Sequence, residues 1–186
     1  MRDKYHELLL EEVRRQVNDS IANNKLEQMV MRKEYEYSMN VLAFHIQSTD
    51  IMPAFPWIAP FSASVPEICR IVHIFIDSSG SFLKHTGHMD QYDLVRRYLD
   101  RLLTTVVNKV LLRLIGNPTL QVSHTMQVAA NMTVMERACA FFAEHAAKSC
   151  GILSRLVDGA HGTLAARNNL RQSQAGAYDA MLRIMN

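Results

Sequence analysis

Leu9, Val13, Val17 and Ile21 recur every four residues between Asp3 and about Asn23, with Glu11, Glu12, Arg14 and Arg15 in the gaps. That spacing lays apolar side chains along one face of a helix and charge along the other, and Asn23–Asn24 supplies a stop. Lys25 to His45 repeats less clearly. Its Leu26, Glu27, Gln28 and Met29 favour a helix, its later aromatic and β-branched residues do not, and the reading is helix as far as about Phe44. The signals then sharpen. Ser64, Val65, Pro66 and Glu67 read as a capping box, the Ser64 hydroxyl accepting from the Glu67 backbone and the carboxylate reaching back. Behind it, Ile68, Ile71, Val72, Phe75 and Ile76 fall at offsets of 3, 4, 7 and 8. Burying each is worth roughly 1.5–3 kcal/mol, so the stripe must face other protein. Loosening is expected near Gly80, and an end around His85.

The next helix is expected from Asp90 to Ile115, with Val95, Leu99, Leu102, Val106, Val110 and Leu114 on one side. Leu103, Val107 and Leu111 widen that face enough to meet more than one neighbour. Gly116 and Pro118 stop it. Asn117-Pro118-Thr119 opens another long helix to about Ser149, carrying Met126, Ala129, Ala130, Met132, Met135, Cys139, Phe142 and Ala146. Its small residues would let a neighbouring helix approach closely. Cys150-Gly151-Ile152 closes it. Beyond a connection read as mobile, running through Asp158 to Asn169, a last helix begins near Ser173 and is still going at Asn186. It is expected to expose Leu170, Tyr178, Met181, Leu182, Ile184 and Met185. Long helices, short turns and no alternating strand pattern define an all-α fold, an antiparallel helical bundle or rod forming one region over residues 1–186.

One segment breaks the pattern. Asp50 to Ile68 holds four of the five prolines together with Phe55, Trp57, Ile58 and Phe61. A proline-rich ligand would add a basic anchor and polar surroundings, yet no Lys or Arg lies between Ile51 and Glu67. A flexible linker would not carry a tryptophan and two phenylalanines. The segment at 50–64 is therefore read as an extended strap with its aromatics bedded between helices.

Composition narrows the class. Hydrophobic residues make up 48% of the 186 and charged residues 20%, a globular balance. The formal net charge of +2 provides no broad basic field for nucleic acid or anionic lipid. Three cysteines without paired spacing suit a reducing compartment, and neither a secretory signal nor a bilayer-length apolar run is read, which points to a cytoplasmic protein.

Little chemistry is legible. His85 and His88 form an H-x-x-H around Gly87 without a third ligand nearby, so a turn is the simpler account. Asp77 to Ser81 lacks the context of a nucleophile elbow, and Gly159 to Thr163 lacks the Lys-Ser/Thr ending of a phosphate loop. Cys139 falls on an apolar stripe, His145 near a helix C-terminus, and His73 in a helix where a surface or hydrogen-bonded position is expected. Asn18 and Asn131 match the glycosylation pattern but fall inside predicted helices. No catalytic, cofactor-binding or metal residue is assigned, and the chain is not read as an enzyme.

Five motifs occur in one order: Tyr5 to Leu10 "YHELLL", Glu34 to Phe44 "EYEYSMNVLAF", Asp50 to Pro66 "DIMPAFPWIAPFSASVP", Tyr98 to Leu103 "YLDRLL" and Met126 to Cys139 "MQVAANMTVMERAC". Together they resemble the exocyst subunit of the Sec-fifteen type (exocyst component six), above all its plant versions, from about Asp3 to the last residue. The resemblance implies a helical-rod segment of a tethering complex that holds secretory vesicles at the plasma membrane before exocytosis. It also implies neighbouring exocyst subunits and a GTP-bound Rab protein as the family's partners, and a location peripheral to the membrane through the complex. The family's chains are several times longer, so it implies a partial chain, without the coiled-coil part and without the C-terminal helices associated with Rab binding. The rival reading is a free-standing helical adaptor, or a truncated copy competing with the full-length subunit. A third, a metal-dependent enzyme using His85 and His88, rests on that pair alone.

Overall fold

The computed structural model describes residues 1–47, 51–152 and 165–185. In chain order the elements are α1 (Arg2–Ala22), β1 (Val30–Met31), α2 (Glu34–Asn40), a 3₁₀ turn (Leu42–Phe44), β2 (Trp57–Ile58), α3 (Ser64–Phe82), α4 (His88–Leu102), a π-helical stretch (Leu103–Asn108), α5 (Lys109–Ile115), α6 (Val122–Ser149) and α7 (Ala165–Met185). The fold is all-α, apart from one short strand pair.

Side-chain bonds between helices fix their directions. Tyr5 reaches Ser78 and Ser20 reaches Glu67, so α1 and α3 are antiparallel. Glu136 takes Arg167 and Arg171 while Thr133 takes Gln174, so α6 and α7 are antiparallel as well. Gln91 donates back to the Gly80 carbonyl at 2.7 Å, folding α4 against α3. Partners two helices apart then run parallel: His73 meets His145 and Asp77 meets Ser149 across α3 and α6. That is an up-and-down bundle, with short turns between α3 and α4 and between α5 and α6 and a long connection from α1 to α3.

The apolar stripes supply its core. Val13 and Val17 of α1, Ile68, Val72, Phe75 and Ile76 of α3, Val95 and Leu99 of α4, and Met132, Met135 and Phe142 of α6 are all buried in one cluster. On α1 the buried face is His6, Leu10, Val13 and Val17, with Leu9 and Ile21 packed at its edge. The expected helix from Asp90 to Ile115 is a continuous helical run from His88 to Ile115, its middle turn π-helical. Leu102, Leu103, Val106 and Val107 are all buried there. A π turn rotates the side chains beyond it, so one helix can present apolar residues to α1 on one side and α7 on another.

Several local expectations are corrected. Lys25 to Lys33 is not helical. Asn24 Oδ1 accepts from the Leu26 N–H at 2.9 Å, and Leu26 takes a left-handed φ of 51°, which ends any helical register. The backbone bonds of this segment go to the proline segment instead: Met29 N–H to Phe61 O at 2.9 Å, Ala59 N–H to Met29 O at 2.8 Å, and β1 paired antiparallel with β2, Val30 opposite Ile58 and Met31 opposite Trp57. Helix resumes only at Glu34, where the Glu36 carboxylate accepts from the Arg32 and Lys33 N–H groups.

The Ser64 capping box does not form either. Ala63 ahead of it already has helical angles (φ −59°, ψ −21°), the Ser64 hydroxyl bonds the Ser62 hydroxyl at 2.9 Å, and Glu67 is taken by Ser20 of α1. A neighbour in the strap takes the one side chain and a residue of α1 the other. Nor does α3 loosen at Gly80, which is buried and continues helical to Phe82. The start of α6 is Val122, after a turn in which Asn117 Oδ1 accepts from Thr119 N–H at 3.0 Å. Its end is a Schellman stop, Ile152 N–H to Ala147 O at 2.9 Å and Gly151 N–H to Lys148 O at 3.0 Å, with Gly151 at φ 71°.

Helix α7 begins at Ala165, not near Ser173. Asp100 of α4 accepts from the Ala166 N–H at 3.1 Å, satisfying a first-turn donor and placing negative charge at the helix's positive end. Leu170 and Met181, expected to be exposed, are buried. Ala129, Ala177 and Met181 pack together beside Ile115, small residues giving α6 and α7 their close approach. The earlier part of the connection ahead of α7, including Gly159 to Thr163, lies outside the described residues.

Candidate functional site

Polar side chains inside the bundle fall into a few sets, each positioned by two or more helices. The first ties α1 to α3 and α4. His6 is fully buried; its Nδ1 donates to the Arg2 carbonyl at 2.9 Å, which leaves Nε2 to accept from the Ser79 hydroxyl at 2.8 Å. The ring stacks on Tyr98, centroids 3.6 Å apart, and Tyr98 donates to Asp3 at 2.7 Å. Burial holds His6 below the ordinary histidine range, the Arg2 carbonyl bond opposing it only in part. A neutral histidine with both nitrogens matched is a structural joint.

The second set fastens α7. Arg167 at 3.0 Å and Arg171 at 2.7 Å both reach one oxygen of Glu136, a four-residue spacing that puts the two guanidinium groups on one helix face. Burial pushes the Glu136 carboxyl up, but the bonds from Arg171 and Arg167 and their charges outweigh it, and the net shift is downward. Ser173 donates to Asn108 in the π stretch at 2.6 Å.

The third set stands nearest to chemistry. His73 and Asp77 lie one turn apart on α3, and His145 faces them from α6. His73 Nε2 is 3.1 Å from His145 Nδ1, and His145 Nε2 is 2.8 Å from Asp77 Oδ1, which also accepts from Ser149 Oγ at 3.2 Å. Phe141 packs against both histidines and is stacked by His45, while Phe44 meets His73 edge-on. Burial, then the neighbouring His145, holds His73 below the usual imidazole range against the pull of Asp77. His73 is hydrogen-bonded, as the sequence suggested. His145 turns sideways into α3 instead of serving its own helix end. The sequence shows the i, i+4 relation of His73 and Asp77, but nothing in it announces a partner 72 positions away.

The other residues singled out in the sequence stand apart. His85 is exposed in the turn before α4, and the side chain of His88 lies outside the described residues. Cys139 is buried, its Sγ directed to the Met135 carbonyl at 3.4 Å, and burial pushes its thiol up to about 12. Such a thiol carries no thiolate at neutral pH. Asp77 to Ser81 is plain helix, with Ser79 committed to His6. Asn131 is buried against the strap, and Asn18 is half-buried on α1.

What remains is surface. Leu112 of α5, Met126 of α6, and Tyr178, Leu182 and Met185 of α7 are exposed at the end of the bundle where α6 starts and α7 stops. Among the described residues no helix is long and apolar enough to cross a membrane. Buried polar groups tie the helices together and apolar side chains are left outside, the make-up of a helical bundle with an apolar surface at one end.

Comparison with known proteins narrows this class. The chain matches the family described as exocyst complex subunit Sec15 C-terminal over residues 1–186. It is 55% identical over 157 residues to exocyst complex component SEC15B of Arabidopsis thaliana, covering 84% of this chain and 20% of that one. To SEC15A of the same plant it is 45% identical over 185 residues, 100% of this chain and 23% of the other. Exocyst complex component 6 of Rattus norvegicus is 31% identical over 144 residues, 76% and 18% of the two chains. A crystal structure of a Sec15 C-terminal domain superposes with a TM-score of 0.66 over 95% of this chain and 57% of that one; at 21% identity the likeness bears on the fold. The protein belongs to the Sec15 family of exocyst subunits, and it spans about a fifth of the length of the curated relatives it matches.

Proposed function

We propose that this chain acts as a helical segment of an exocyst subunit, helping to hold secretory vesicles at the plasma membrane before fusion through contacts with other exocyst subunits. The observation that carries this reading is the family match along all of residues 1–186. Its physical support is the exposed apolar set of Leu112, Met126, Tyr178, Leu182 and Met185, on a bundle in which buried His6, Asn108, Asn131 and Ser173 tie elements together. Side chains of that kind at one end of a helical bundle suit a protein partner better than a small substrate. The chain works at the cytoplasmic side, peripheral to the membrane through its partners.

The test is affinity capture of the tagged full chain from cells that secrete actively. Recovery of other exocyst subunits, reduced by a Leu182→Glu variant that melts like the parent, supports the proposal. Recovery of neither an exocyst subunit nor a GTP-loaded Rab protein, from a chain shown to be folded, overturns it.

A further inference from the structure

We propose that the π-helical stretch Leu103–Asn108 is a one-residue register insert held open by α7, so that the docking of α7 and the orientation of α5 form one conformational unit. Three bonds tie α7 to the run from α4 to α5 in ascending order. Asp100 accepts from the Ala166 N–H at 3.1 Å, Asn169 Nδ2 donates to Thr104 Oγ1 at 3.2 Å, and Ser173 Oγ donates to Asn108 Oδ1 at 2.6 Å. The two helices therefore run parallel here, yet their counts differ. Seven positions from Ala166 to Ser173 stand against eight from Asp100 to Asn108. In regular helix seven residues climb about 10.5 Å and return to within about 20° of the starting face. Eight climb about 12 Å and end about 80° away from it. A turn closed by i→i+5 bonds takes in one residue more, which restores the match. Thr104 and Asn108 both lie inside that turn.

The apolar spacing points the same way independently. Val95, Leu99, Leu103, Val107 and Leu111 recur every four residues and are all buried. Along an unbroken α-helix that stripe would swing about 160° around the axis; with one residue absorbed it swings about 60°. The competing register is equally defined. Were the run to tighten into regular α-helix, every position beyond the turn would rotate by about 100°. Lys109, exposed here, would enter the place of buried Val110, and buried Leu111 the place of exposed Leu112. Helix α5 cannot keep its packing in that register. Loss of Asn169 and Ser173 from Thr104 and Asn108 thus frees the turn to close and loosens α5 with it. Tyr178 and Leu182 of the exposed apolar end belong to α7 and Leu112 to α5, so one coupling sets both sides of that surface.

The experiment is amide hydrogen exchange on the full chain, read residue by residue. Glu136 holds α7 through Arg167 and Arg171, so Glu136→Gln loosens α7 without changing a side chain bonded to the π stretch. The expected result is exchange at residues 103–115 that quickens by the same factor as along α7, about fivefold, while α1 and α3 keep the parent rates. Asn169→Ala combined with Ser173→Ala removes the bonds to the turn and is expected to quicken both segments about tenfold. Exchange that quickens along α7 alone, or rates at 103–115 that both variants leave unchanged, overturns the proposal. Deletion of Thr105, a half-exposed residue whose hydroxyl donates to the Arg101 carbonyl of its own helix at 2.6 Å, tests the insert itself. Without that residue the run is expected to become regular α-helix with α7 still docked, and Glu136→Gln then quickens α7 alone. A chain that loses the protection of α7, or fails to fold, on losing Thr105 shows that the stretch is no insert and overturns the register reading.

Discussion

Asn131, in the first half of α6, holds Ser62 of the strap by two bonds at once: its Oδ1 accepts from the Ser62 N–H at 2.9 Å and its Nδ2 donates to the Ser62 hydroxyl at 2.8 Å. Both residues are buried, so neither has water as an alternative partner. Gln127 extends the clamp to the Pro60 carbonyl at 3.4 Å. The strap thus approaches α6 with its polar backbone groups answered by side chains, which is what allows Ala59 and Phe61 to be fully buried beside them.

Asn131→Ala removes both bonds and orphans a buried N–H. The expected loss is about 1–3 kcal/mol of folding free energy, measured as a lowered urea midpoint with little change in slope. An unchanged midpoint would show that the clamp is ornamental. No glycan is expected on this asparagine, since it is turned into the core.

Stability should depend on pH through His6. Its folded value is depressed by burial, so the unfolded chain takes up the proton first, near its ordinary value of about 6.5. The melting temperature is therefore expected to hold above about pH 6.5 and to fall as pH drops through the folded value. His73, also depressed, adds to the same slope. His6→Gln should flatten the profile in this window; a slope unaltered by that change would place the titration elsewhere.

The Glu136 pairing governs α7. Glu136→Gln keeps the shape and removes the charge facing Arg167 and Arg171, themselves partly exposed. Exposed ion pairs are worth up to about 1 kcal/mol, so global melting should move little while amide exchange along α7 quickens about fivefold. With its carboxyl depressed, the contribution is present above the ordinary glutamate range and lost as pH falls through the lowered value.

The exposed end of the bundle predicts self-association. Tyr178, Leu182 and Met185 face outward on α7, with Met126 and Leu112 at the same end. Sedimentation velocity on the purified chain is expected to show concentration-dependent dimers or larger species, suppressed by a paired Tyr178→Glu and Leu182→Glu change. A sharp monomer at all concentrations would contradict this. Of the side chains expected on that surface, Leu170 and Met181 are inside, and Ile184 is outside the described side chains.

The sequence by itself determined the helical skeleton. The stripes of α3, α4 to α5 and α6 were legible because burial at a spacing of three and four residues leaves a pattern within one segment. The Gly151 stop was legible for a similar reason, since glycine adopts a left-handed φ at the end of a helix without the steric cost a side chain brings. Family membership followed from ordered motifs, not from any single residue.

Only the tertiary structure decided the rest. Whether Lys25 to Lys33 became helix or strand depended on Ala59 and Phe61 standing opposite with backbone groups to match. Where α7 began depended on Asp100, and how Ser64 and Glu67 bonded depended on Ser62 and Ser20. His73 and His145 became a pair only when α3 and α6 were laid side by side. Local propensity differs among these residues by less than about 1 kcal/mol, and a single buried hydrogen bond or cap from a distant element is enough to reverse it.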